Sequence, residues 1–137
     1  MLWVTGGSDL PHCTLEYSAN LETKTDLPAL CADISAAILS TGLFELGAVR
    51  VRALRCAAYA IADSHPENAF LDMSFRIGRG RTMADKRRAG EAIFAAASQR
   101  LAPLLAAPHF ALSLEIREID AELSWKANAI HPRLRDK

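Results

Sequence analysis

The sequence carries no excess of either charge. Sixteen Lys and Arg offset sixteen Asp and Glu across 137 residues, so nothing draws the whole chain to nucleic acid or to a membrane surface, and any anion must bind locally. Cysteine is scarce and odd in number. Cys13, Cys31 and Cys56 are widely spaced with no C-x-x-C pair, which argues against a disulfide framework or a zinc site and predicts buried thiols in a reducing cytoplasm. The four histidines, His12, His65, His109 and His131, have no ligand partner at helical spacing, so no metal is expected. No cofactor is expected either. Long apolar runs are missing, and Met1 to Leu10 lacks the basic start of a secretory signal, so the expected location is cytoplasmic, with no membrane partner.

Half of the residues are hydrophobic, enough for the core of one ordinary domain. Residues 1–10 include Thr5-Gly6-Gly7-Ser8-Asp9 and read as a flexible N-terminal extension with too little apolar surface to fold alone. Residues 11–137 form the domain, with halves at about 11–62 and 69–120.

Pro11 opens the first strand. Cys13, Leu15 and Tyr17 alternate with Thr14, Glu16 and Ser18, the period of a half-buried strand, and proline suits its first position because it has no N–H to give to a ladder. Residues 18–25 read as a loop. Asp26 then caps a helix with Pro28 in its first turn, Leu30, Ile34 and Ile38 form the apolar stripe, and Gly42 marks the stop. Residues 48–60 are the second strand region, with Val49, Val51 and Ala53 on one face and Arg50 and Arg52 on the other.

The second half repeats this plan. Leu71, Met73, Phe75 and Ile77 alternate with polar residues in a third strand, and Gly78-Arg79-Gly80-Arg81 turns toward a helix opened by a capping pair, Thr82 and Asp85. Ala89, Ile93, Phe94, Ala97 and Leu101 give its apolar stripe, which Pro103 should kink or end. Phe110, Leu112, Leu114 and Ile116 mark the fourth strand. The predicted class is α+β: two consecutive β-α-β units forming a four-stranded sheet with two helices on one face. The opposite face is then left for a partner subunit.

Pro-His-x-x-x-Glu-x-Ser from Pro11, the helix after Asp26-Leu27-Pro28, Val49-Arg50-Val51-Arg52, Ala69-Phe70, Ile77-Gly78-Arg79-Gly80-Arg81 and Phe110 to Glu118 follow one another in a recognisable order. This order resembles the 5-carboxymethyl-2-hydroxymuconate isomerase family of the tautomerase superfamily, from Pro11 to about His131. The resemblance implies a homotrimer of tautomerase-like subunits acting on a small carboxylate substrate, 5-carboxymethyl-2-hydroxymuconate, in homoprotocatechuate degradation. It implies Pro11 as an amino-terminal general base, with Arg50 and Arg81 as its catalytic companions. His12, Arg52, Arg79, Lys126 and Asn128 are the implied substrate-binding residues, and a tail holding Trp125 and His131 is expected to reach a neighbouring subunit.

A secondary amine suits this chemistry because desolvation and nearby guanidinium groups both disfavour its charged form and lower its pKa toward neutrality. In family members the proline is the first residue of the mature protein. Here ten residues precede Pro11, and the nitrogen of a Leu10–Pro11 amide has no basic lone pair. Three readings follow: an isomerase whose start or trimming places Pro11 first, a non-catalytic carboxylate-binding or regulatory relative that keeps the arginine pocket, or a purely structural trimer, which the arginines make less attractive. Leu10 can be encoded by codons that bacteria also use as starts, and Gly6-Gly7 can be encoded by a ribosome-binding GGAGG. The expectation is therefore that the active protein begins at Pro11.

Overall fold

Strand β2, His12–Ser18, lies inside a four-stranded sheet and sets its two faces. Cys13, Leu15 and Tyr17 are buried on one side, while His12, Thr14 and Glu16 take the other. The structure, a computed structural model, describes residues 10–135 and the backbone of residues 3–5. Strand β3, Arg50–Cys56, runs parallel to β2; β4, Ala69–Ile77, runs antiparallel to it; and β5, Phe110–Glu118, runs parallel to β4. The order across the sheet is β3-β2-β4-β5, which places two β-α-β units side by side as the sequence predicts.

Helix α1, Leu27–Ser40, connects β2 to β3. The Asp26 carboxylate accepts the Ala29 N–H at 3.0 Å, and Pro28 sits in the first turn, where its missing N–H leaves no bond unmade. Leu30, Ile34 and Ile38 are fully buried against the sheet. Gly42 follows at a φ of 72°, a left-handed conformation that glycine adopts without steric penalty as the chain leaves the helix. Helix α2, Met83–Arg100, connects β4 to β5 and begins with the Thr82 hydroxyl accepting the Asp85 N–H at 3.1 Å. Its Ala89, Ile93 and Ala97, together with Leu101, enter the same core as the α1 stripe. Both helices therefore cover one face of the sheet, and an Arg100–Asp33 ion pair ties them together.

Several local expectations are corrected. Residues 18–25 are not an open loop, because Ala19–Thr23 form a 3-10 turn that buries Leu21, anchored by the Asn20 side-chain amide donating to the Asn68 carbonyl at 2.7 Å. Phe94 leaves the predicted stripe and is 40% exposed, since it follows fully buried Ile93 by one residue and so points about 100° away. Pro103 ends α2 and starts a separate turn of helix, α3, Ala102–Leu105. The second strand is shorter than the 48–60 region allowed for it.

The ends of the chain also differ from expectation. Within the predicted flexible extension, Trp3–Thr5 form strand β1, paired antiparallel with β6, Trp125–Ala127. Residues 1, 2 and 6–9 of that extension lie outside the described residues. The tail that carries Trp125 and His131 also folds onto its own chain through α4, Ile130–Arg135. Arg135 makes a bidentate pair with Glu45, at 2.6 and 2.7 Å, and the backbone of His131 packs against Gly47.

The uncovered face of the sheet is polar. In register at the Pro11 end stand Arg50, His12, Arg76 and Arg117, one from each strand. Four residues further along the strands, the corresponding row is Leu54, Glu16, Asp72 and Ser113. Positive charge is concentrated at one end of this face and negative charge at the other.

Candidate active site

The starts of β2 and β3 and the ends of β4 and β5 meet at one end of the sheet. Pro11 sits there with its ring fully buried, and its carbonyl accepts the Arg50 N–H at 3.1 Å. Its nitrogen is part of the Leu10–Pro11 amide in this chain, so it has no lone pair to offer as a base. Leu10 is also largely buried.

His12 is the electrostatic centre of the group. Arg52 Nη1 lies 3.1 Å from His12 Nδ1, and because a guanidinium only donates, Nδ1 accepts and the neutral ring carries its hydrogen on Nε2. Burial lowers the imidazole to about 4, helped by the positive charges of Arg76, Arg52, Arg50 and Lys126. At neutral pH the ring is uncharged and can donate one hydrogen bond from Nε2. It cannot supply a proton as an acid of ordinary histidine strength.

Beside this cluster lies a cleft of about 240 Å³, walled by Leu10, His12, Arg76, Trp125 and Lys126 among others. Lys126 is largely buried although charged, so the cleft is positive and partly shielded from water, conditions that strengthen its hold on carboxylates. Arg50 projects on the same sheet face as His12 and also donates to the Ala48 carbonyl at 3.4 Å.

Three of the expected site residues have other surroundings. The Arg81 guanidinium donates to the Leu43 carbonyl at 2.8 Å and lies 4.3 Å from the centre of the Phe44 ring. Burial pulls its pKa below the usual value, with Asp85 opposing. Phe44 packs edge-on against Phe75, which faces the helices, so Arg81 braces the segment leading to β3 from the helix side of the sheet. Asn128 is nearly buried and uses its whole amide on the backbone: Nδ2 donates to the Gly47 carbonyl at 3.1 Å, and Oδ1 accepts from Ile130 and His131 at the start of α4. Arg79 is exposed in the turn after β4, with no hydrogen bond or ion pair among the described residues.

The structure thus gathers Pro11, His12, Arg50, Arg52 and Lys126, and sets Arg81 and Asn128 behind them. It adds Arg76, which sequence reasoning passed over as one polar position of a strand. Only the antiparallel register, Arg76 opposite His12, reveals its place. Cys13 is no rival nucleophile, since burial pushes its thiol up to about 12. Among the described residues, no cluster of three or more His, Cys, Asp or Glu could hold a metal ion, and no helix is long and apolar enough to cross a membrane.

The family model for 5-carboxymethyl-2-hydroxymuconate isomerase matches residues 11–134. The 5-carboxymethyl-2-hydroxymuconate Delta-isomerase of Escherichia coli is 33% identical over 122 residues, covering 89% of this chain and 97% of its own. A crystal structure of a 5-carboxymethyl-2-hydroxymuconate isomerase from Deinococcus radiodurans R1 superposes with a TM-score of 0.86 at 37% identity, covering 93% of this chain and 96% of its own. At the level of fold alone, a solved chain described as "Q0 fused 4-OT wild type symmetric trimer" shares 18% identity at a TM-score of 0.50, over 82% of this chain and 94% of that one.

Proposed function

The chain belongs to the 5-carboxymethyl-2-hydroxymuconate isomerase family, and from that premise we propose that it isomerises 5-carboxymethyl-2-hydroxymuconate with Pro11 as the base, in a form whose first residue is Pro11. The observation that carries this reading is the convergence of Pro11 with His12, Arg50, Arg52 and Lys126 at one end of the sheet.

The reaction moves a proton from the dienol hydroxyl to a distant carbon and leaves a ketone. A secondary amine at the buried head of β2, beside several positive charges, has its protonated form disfavoured by both desolvation and like charge. Near neutral pH such an amine takes the hydroxyl proton and delivers it to carbon. Arg50 and Arg52 supply fixed charge for carboxylates, and the Nε2 hydrogen of His12 is a donor for the oxygen on which negative charge develops. Arg79 and Lys126 extend the positive field. Arg81 and Asn128 contribute from behind, by fixing the segment from Leu43 to Ala48 that leads into Arg50.

The same reading gives a homotrimer. Each subunit leaves one sheet face without helices, and the distant fold relative is described as a trimer. In the chain as written, Leu10 stands in the cleft wall and β1 pairs with the strand that carries Lys126. Leu10 therefore stands next to the position of the Pro11 nitrogen, where the base must act.

The direct test compares the 137-residue chain with a protein beginning at Pro11 in one dienol isomerisation assay. The shortened protein should turn over substrate with a pH profile reporting a near-neutral amine, while the longer one is nearly inactive. Equal activity in the two would show that Pro11 is not the base.

A further inference from the structure

The residue that the site has not yet used is Arg76. It lies directly across from His12 on β4, as Arg50 does on β3, so the two arginines flank the histidine in one row. Neighbouring strands are about 4.8 Å apart, which separates Arg50 and Arg76 by roughly 10 Å at the backbone. An extended six-carbon dicarboxylate holds its carboxyl carbons roughly 6 Å apart, five zigzag bonds of about 1.5 Å. Guanidinium groups carried on flexible side chains from those two positions can span it.

The surroundings of Arg76 give it little structural work to do. Of its cross-strand neighbours, His12 is neutral and Arg117 carries a like charge, and like charges placed opposite one another destabilise a sheet. Arg117 is compensated by Glu115 at 2.7 Å, and Arg52 is engaged with His12. Arg76 has no hydrogen bond or ion pair among the described residues, and its exposed side chain lines the cleft together with Lys126. Asp120 shares that wall, but one of its oxygens already accepts the Glu122 N–H at 2.9 Å.

We propose that Arg76 is a specificity-determining residue for this reaction: it holds the substrate carboxylate at the opposite end of the chain from the one held by Arg50, selecting a dicarboxylate of six-carbon length. The proposal rests on the reading that a carboxylate substrate is bound at the Pro11 end of the sheet. It explains why the row of basic residues continues beyond His12 and away from Arg50 and Arg52.

The test uses calorimetric titration of the 137-residue chain with two matched probes, trans,trans-muconate and sorbate. They share the same six-carbon diene, and sorbate has a methyl group in place of one carboxylate. Wild-type protein should bind muconate at least tenfold more tightly than sorbate. Arg76→Ala should weaken muconate ten- to a hundred-fold and change sorbate by less than about threefold, with Arg76→Lys keeping part of the muconate preference. Equal weakening of both probes, no effect on muconate, or a wild type without preference would each overturn the anchor. Muconate bound through Arg76 by a protein whose Pro11-initiated form does not turn over the dienol would overturn the isomerase reading and leave the anchor standing.

Discussion

Lowering the pH should leave His12 neutral long after an ordinary histidine has taken up a proton. Its pKa is about 4, against 6.5 for an unperturbed ring, with burial as the largest cause and Arg76, Arg52, Arg50 and Lys126 adding to it. That difference corresponds to roughly 3 kcal/mol, and because the ring is only half-buried, solvent screening reduces this to the order of 1 kcal/mol. The folded-state pKa lies below the unfolded one, so the unfolded chain binds the proton first as pH falls. The associated stability is fully present above about 6.5 and is lost progressively between about 6.5 and 4. Proton NMR of the imidazole carbons, with His12→Gln to assign the resonance, measures the titration directly. Arg76→Ala should raise the value by roughly half a unit, the effect of one charge about 7 Å away in a water-like medium. Added salt should raise it in the same direction, because it screens the arginines and leaves the burial contribution unchanged. A His12 that titrates at 6.5 or above would refute the reasoning, since the basic row would then not be assembled around the ring.

Much of this arrangement was legible in the sequence where the physics is local. The cap at Asp26, the stripe Leu30–Ile34–Ile38 and the alternation in the strand after Pro11 depend on residues a few positions apart, and all three appear as read. Register is not local. Nothing in the sequence says that Arg76 lies opposite His12 and not two residues away, so the basic row could not be read before the sheet was seen. The same limit applies to the backs of side chains. Arg81 and Asn128 stand where the family order puts site residues, yet their polar groups bind the carbonyls of Leu43 and Gly47, bonds that span 38 and 81 positions of sequence. Phe94 was misread because the stripe admitted two adjacent apolar residues, of which only Ile93 takes the core position. Strand β1 was hidden for a different reason: three residues next to a glycine pair have no periodicity of their own, and they form a strand only by pairing with β6.

Light scattering on the purified protein should give the mass of a trimer, and a stable monomer at micromolar concentration would mean that the uncovered sheet face attracts no partner. Arg50→Ala, in protein beginning at Pro11, should lower kcat/KM by roughly ten- to a thousand-fold with an unchanged circular dichroism spectrum. Arg81→Ala should lose activity together with stability, by about 1–3 kcal/mol in denaturant titration, because it removes both the bond to Leu43 and the packing on Phe44. Gly47→Ala probes the clasp between the tail and the segment before Arg50. An added Cβ would lie 3.0 Å from His131 Nδ1, 3.1 Å from its Cα and 3.2 Å from its backbone nitrogen, and backbone atoms at the start of a helix cannot move aside singly. Helix α4 must therefore shift as a unit, straining the Asn128 bond to Gly47 and the Arg135 pair with Glu45, at an expected destabilisation of about 1–3 kcal/mol. If the clasp positions Arg50, KM for the substrate should rise in Gly47→Ala protein even where it remains fully folded, and an unchanged KM with lowered stability would reduce the tail to a purely structural element.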